Sequence, residues 1–255
     1  SGWDAGQLQE WGMDAETLAS WNSDANALRE MLEAEKQEQR ENNTETDEET
    51  DEQEGQPLDY IFPSYDKWGV PMLDVNLQAT GLPAPFMAWG TVKRTQHMPG
   101  TWHFYIDDYR FENIWRNPEQ VFNTRCAACV EPNFSVYTDM PAAVALWGIY
   151  RKRWISRYWQ ALGLFIFVDL NIAHKHEDLI FLGVPEGWTA YATRAYSDRL
   201  DETEHEYSLA QSHAGDKPIM FVVYGGGKKA QELSINKGWI WYPDQQSKMC
   251  EVKHG

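Results

Sequence analysis

An aspartate that interrupts an apolar run is the first feature with chemical meaning: Asp169 in Leu164–Leu170 (LFIFVDL). A carboxylate stranded there would cost several kcal/mol, so it needs a partner or a metal. A helix N-cap or a salt bridge to a helix arginine would serve it equally well. Asp139, Asn171, Arg194 and Tyr224 also follow extended stretches, and with Asp169 they make up the candidate catalytic set. Glu186, Thr193 and Asp244 stand at similar places. One concentrated basic patch, Tyr150-Arg151-Lys152-Arg153 with Arg157 one turn on, is interleaved with Trp154, Tyr158 and Trp159. Arg153 and Arg157 share a helix face at i, i+4, which suits a phosphate, a carboxylate or a nucleic acid. The alternative is a helix with one face packed and one basic face solvated. Gly225-Gly226-Gly227-Lys228 joins an apolar stretch to a helix whose free amides could cradle a phosphate; a tight connection without a ligand fits as well.

Other chemistries find less support. The triple glycine lacks Walker spacing, and no G-x-S-x-G elbow marks a serine hydrolase. Cys126 and Cys129 form a single C-x-x-C with no second pair to complete a zinc site. His174-Lys175-His176 has a lysine where a rolling-circle nuclease carries a bulky apolar residue, so it reads as a loop with two ordinary histidines. The sequence names no metal ligands and no cofactor.

These residues need elements to position them. Prolines break residues 57–100 into short extended pieces and turns. Thr101–Ile106 and Asn133–Tyr137 read as strands, with a short helix around Phe111–Trp115 and a helix start at Pro118. Pro141 opens a long helix to about Leu162, closed by Gly163. Leu164–Leu170 and Ile219–Tyr224 are apolar throughout, as in strands buried on both faces. Leu179–Gly183 and Trp188–Thr193 add two short strands, and Ser197–Ala210 a helix. A helix of about ten residues follows Gly227. Trp239–Tyr242 ends the pattern. Strand–helix alternation predicts an α/β fold with a mostly parallel sheet, as a partial or complete (β/α) barrel; no G-x-G-x-x-G turn favours a Rossmann sheet. Ligands should then meet the carboxyl ends of the strands, with Asp169 and the triple glycine on one shared rim. Trp102, Trp147, Trp188, Trp239 and Trp241 are expected to pack, whereas Trp68 and Trp89 could line a groove.

Two stretches carry a family resemblance: Trp89–Trp115 (WGTVKRTQHMPGTWHFYIDDYRFENIW) and Glu131–Gly227, which holds EPNFSVYTDMP, YRKRW, LGVPEGW and FVVYGGG. Together they resemble the phage- and mobile-element-borne domain-of-unknown-function family 4417 over roughly residues 57–245. The resemblance implies lineage and no particular reaction. The family more often has Asp in its P-D-F-S segment, where this chain has Asn133.

The N-terminal stretch SGWDAGQLQEWGMDAETLASW is similar to the acidic segment that follows ParB-like domains in phage proteins, and position 1 is Ser, as expected of a piece of a longer product. Residues 1–56 hold 17 of the 39 acidic groups against three basic ones, so most of the net charge of −17 lies on this tail. Residues 1–40 read as a short acidic helical segment, its Trp3, Trp11 and Trp21 able to dock a protein partner. Residues 41–56 have no apolar side chain and read as a disordered linker. Residues 57–255 form the globular domain. The acidity excludes a duplex-coating face. No apolar run approaches the roughly 18 residues of a membrane span, and no signal peptide opens the chain. Three cysteines are too few for a disulfide framework, which points to the host-cell cytoplasm. The leading expectation is a protein of DNA metabolism that binds a nucleic-acid or phosphorylated ligand. The alternatives are a barrel-type small-molecule enzyme with strand-end carboxylates and a non-catalytic adaptor working through its tail.

Overall fold

A computed structural model describes residues 62–91 and 97–244. The expectations for residues 1–40 and 41–56, the ParB-associated segment among them, lie outside the described residues.

Seven strands pair in chain order, and every pairing is parallel: β1 (Phe86–Ala88), β2 (Thr101–His103), β3 (Ala128–Val130), β4 (Phe165–Asp169), β5 (Ala190–Ala195), β6 (Met220–Gly225) and β7 (Ile240–Tyr242). The sheet curls into a nearly closed barrel, and Phe86 of β1 meets Tyr242 of β7 with ring centroids 4.7 Å apart. Four helices are described: α1 (Glu119–Phe122), α2 (Ala142–Ala161), α3 (Leu200–Ala214) and α4 (Gly227–Lys237). Three of the crossovers run through α2, α3 and α4, and a 3-10 turn, His174–Leu179, joins β4 to β5.

The period-2 alternation of strands sorts the core into two layers. Ala128, Val130, Phe167, Ala192, Val222 and Tyr224 fill the inside of the barrel, packed with one another and without helix residues. Cys129, Ile166, Val168, Tyr191, Phe221 and Val223 face outward onto Trp154, Ile155 and Trp159 of α2 and Ala210 of α3. Apolar residues on both faces explain why β4 and β6 read as unbroken hydrophobic runs.

Several expected elements differ. Asn133–Tyr137 forms no ladder, because the Ser135 N–H donates to Asp108 Oδ2 at 2.9 Å and its hydroxyl to Oδ1 at 2.8 Å. The neighbouring strand is β3 instead, three small buried residues whose alternation is too short to register in sequence. Leu179–Gly183 is turn, and the carbonyls of Ile180 and Leu182 accept from Arg153 rather than from a strand. The two apolar strands that sequence reading expected side by side, Leu164–Leu170 and Ile219–Tyr224, are separated by β5. Trp89 is core, edge-on to Trp102 at 5.3 Å, while Trp147 is 41% exposed.

Gly226 shows why glycine follows β6. Its φ is +70°, and a Cβ there would lie 2.5 Å from the Ala230 methyl and 3.0 Å from that of Ala195. The turn is tight enough to need glycine on steric grounds alone.

Candidate functional site

A cleft of about 930 Å³ opens at the carboxyl ends of β2 to β5. Each strand feeds it through the residues that follow: Ile106–Tyr109 after β2, Asn133 and Ser135–Thr138 after β3, Asn171–His174 after β4, Tyr196 after β5. Arg194, near the end of β5, and the first turns of α3 complete the wall. A parallel barrel assembles these segments because every strand delivers its end to the same rim.

The lining is predominantly acidic. Asp107, Asp108, Glu177, Asp201, Glu202 and Glu206 face two guanidiniums, Arg194 and Arg199, and no lysine lines it. Both guanidiniums gather on the Tyr196 ring, at 5.3 and 4.3 Å from its centroid. Arg199 also pairs with Glu202 at 3.4 Å, and Arg194 lies 3.9 Å from Asp244. Two further tyrosines, Tyr109 and Tyr137, stand 80% and 60% exposed along the lining.

Glu206 is the lining carboxyl most altered by its surroundings. Burial holds its pKa well above the usual carboxylate range; the Thr193 hydroxyl, donating at 2.6 Å, pulls the other way, and the charge of Asp169 raises it further. The shift favours its protonated form, the form able to give a proton. A carboxyl raised in the folded state contributes stability that is full below its unfolded pKa, about 4.3, and lost as pH rises through the folded value. Glu206→Gln has no proton to lose. Its melting temperature relative to wild type is expected to climb between pH 5 and pH 8, and a gap that stays flat or narrows would contradict the assignment.

Beneath the cleft the barrel carries a polar constellation. Asp169, at the end of β4, is fully buried; Lys152 Nζ donates to its Oδ2 at 2.9 Å and to its main-chain oxygen at 3.0 Å. The Tyr105 hydroxyl donates to Oδ1 at 3.1 Å, and the Asn171 N–H at 3.2 Å. Burial raises the Asp169 pKa, and the Lys152 charge opposes that. His103, on the inner face of β2, is held at a pKa of about 3 by burial and then by the Arg194 charge. Its neutral ring packs 4.6 Å from Phe86 and 4.3 Å from Tyr224, and its Nε2 has no hydrogen-bond partner among the described residues.

The expected site residues do not all converge on the cleft. Asn171 and Arg194 line the cleft, and Asp169 lies two residues before Asn171 as a paired structural carboxylate. Its partner is a lysine, where the sequence suggested an arginine. Tyr224 is packed inside the barrel and lies within reach of Asp244, its hydroxyl 3.4 Å from Oδ1. Asp139 is exposed on a turn and does not line the cleft. Gly225, Gly226, Gly227 and Lys228 belong to the same barrel rim as Asp169, yet none of them lines the cleft.

The basic helix faces inward more than expected. Arg153 is fully buried: its Nη1 donates to Glu131 Oε2, its Nη2 to the Ile180 carbonyl and its Nε to the Leu182 carbonyl at 2.8 Å. Arg151 pairs with Glu112 at 2.7 Å and lies 3.9 Å above the Phe134 ring, and Arg157 covers Phe62. A continuous solvent-facing arginine stripe does not form.

Sequence reading missed Glu206, Arg199, Tyr196, Tyr109 and His103. All but His103 lie in loops or on a helix flank where polarity is ordinary, and only the parallel pairing of β2 through β5 brings them to one rim. It read His174 as an ordinary loop histidine and missed Glu177 and His205, whose nearest donor atoms converge with it across 28 residues of chain between Glu177 and His205. Asn133 is on the cleft wall beside Asn171, whose Nδ2 lies 3.4 Å from its Oδ1.

A parallel barrel with a polar cleft at the carboxyl ends of its strands is thus the class of protein that fold and site define. The chain belongs to the family described as Domain of unknown function (DUF4417), whose model matches residues 62–236. It is similar to the Gene 1 protein of Mycobacterium phage D29, 30% identical over 186 residues that cover 70% of this chain and 68% of that protein. The Gene 1 protein of Mycobacterium phage L5 is likewise 30% identical, over 60% of this chain and 71% of its own length. No solved structure matches it. The expected phage lineage is borne out, and no helix among the described residues is long and apolar enough to cross a membrane.

Proposed function

We propose that the chain is a barrel enzyme that takes a small phosphorylated, ring-bearing ligand of the mononucleotide class at this mouth. The observation that carries the reading is the pair Arg194 and Arg199 gathered on Tyr196, the only lysine or arginine cations in an otherwise acidic cleft. Guanidiniums match phosphate oxygens bidentately, and their location fixes where the anionic end lies. Exposed Tyr109 and Tyr137 offer faces for a heterocycle to stack on. The carboxylates of Asp107, Asp108, Glu177, Asp201 and Glu202 around them would repel the flanking phosphates of a long polyanion, which favours a small ligand over a duplex. Glu206 acts as general acid, and Asn171 supplies a neutral hydrogen-bonding group. A ligand of this class would suit a role in DNA metabolism.

Thermal denaturation in the presence of nucleoside monophosphates and sugar phosphates tests the reading. At a hundredfold excess over Kd a true ligand adds about 2.7 kcal/mol of stability. We expect such a shift for at least one mononucleotide, its loss in Arg194→Met/Arg199→Met, and its retention without turnover in Glu206→Gln. A shift that survives in the arginine double variant, or no shift with any phosphorylated compound, would exclude this mouth as the site.

A further inference from the structure

We infer that His174, Glu177 and His205 form a site for a divalent transition-metal ion on the rim of the cleft. His174 opens the 3-10 turn after β4, and Glu177 follows three residues later. The backbone kinks at His176 between them, and the two side chains nonetheless meet, as their contact distance shows. His205 comes from α3 and closes the set from across the cleft. His174 Nδ1 lies 2.9 Å and His205 Nε2 2.7 Å from the same atom, Glu177 Oε2. The imidazole rings meet edge to face at 5.3 Å, and the three donor atoms all lie within 4.8 Å of one another.

An ion about 2.1 Å from each donor requires donor–donor spacings of roughly 3.0 to 3.4 Å, so small side-chain rotations would seat it. Two imidazoles and a carboxylate select Zn²⁺ or Fe²⁺ over Mg²⁺ and Ca²⁺, which favour all-oxygen sets. Three protein donors leave coordination positions open, and all three residues line the cleft, so those positions face its interior. The surrounding carboxylates add a field that attracts cations. Entry is unhindered, since the His174 side chain is 76% exposed.

The experiment uses the full chain and the metal alone, so it can fail while the mononucleotide reading stands, and the reverse. Co²⁺ and Zn²⁺ are titrated into metal-free protein, with folding followed by circular dichroism. We expect one Co²⁺ per chain with a visible ligand-field spectrum and no thiolate charge-transfer band, displaced by Zn²⁺ but not by Mg²⁺. His174→Ala is surface-exposed and should fold. It is expected to weaken Zn²⁺ binding by more than about 100-fold, because even outer-shell partners of a metal site are worth 10–100-fold. Glu177→Gln and His205→Ala should do the same, and His97→Ala should bind as wild type. Binding unchanged in His174→Ala, a thiolate band from the cysteines, or no binding tighter than millimolar would each overturn the assignment.

Discussion

Arg153→Met is expected to destabilise the domain by about 3–5 kcal/mol, the cost of leaving a buried charge without its partner. Arg153 links α2 to the end of β3 through Glu131 and to the turn before β5 through the Ile180 and Leu182 carbonyls. Methionine fills the volume but donates nothing, so the buried Glu131 loses its cation and two carbonyls lose their donor. Glu131 Oε2 also accepts from the Asp169 N–H at 3.1 Å, so the damage spreads to β4. Domains are stable by only about 5–15 kcal/mol, and one such loss consumes much of that. Arg153→Met/Glu131→Leu should regain a good part of it, because removing both charges removes the desolvation penalty. Urea midpoints of the three proteins measure this directly. A single variant within about 1 kcal/mol of wild type would mean that Arg153 is solvated after all.

Lys152→Met is expected to show a smaller loss with a characteristic pH dependence. Without the ammonium, Asp169 keeps only the Tyr105 hydroxyl and the Asn171 N–H, and its already raised pKa moves further up. Below the unfolded value of about 3.9 the carboxyl is neutral in both states and costs little. As pH rises toward the folded value, the unfolded chain ionises freely and the folded chain does not, so stability falls. The deficit of Lys152→Met relative to wild type should therefore grow from pH 4.5 to pH 8, reaching about 3 kcal/mol when the buried carboxylate is left unpaired. Lys152→Met/Asp169→Asn should abolish the slope. Chemical denaturation at a series of pH values reads it, and a pH-independent deficit would contradict the pairing.

Much of the barrel was legible because its strands obey local rules. β4 and β6 announce themselves as apolar runs, α2 starts after Pro141 and ends before Gly163, and Gly226 marks a turn whose backbone excludes side chains. β3 was illegible for the opposite reason: Ala128–Val130 has no period long enough to read, and parallel pairing with β2 and β4 makes it a strand. The site was harder still. Asp169 stood out because its type contradicts its neighbours, and that contradiction was resolved by a lysine 17 residues earlier. Arg153 looks in sequence like any exposed helix arginine, since its burial depends on Glu131 and two turn carbonyls that no local pattern links to it. His174, Glu177 and His205 belong to two elements, and their convergence follows from the parallel pairing of β4 with β5.

The central claim is that β2 to β5 build one ligand-binding mouth, and hydrogen exchange with and without a saturating mixture of nucleoside monophosphates tests it most directly. Slowed exchange is predicted in residues 106–109, 133–138 and 194–206, with residues 226–230 and the outer face of α2 unchanged. Protection confined to the turn at Gly226 or to α2, with the mouth exchanging as in the free protein, would contradict the account.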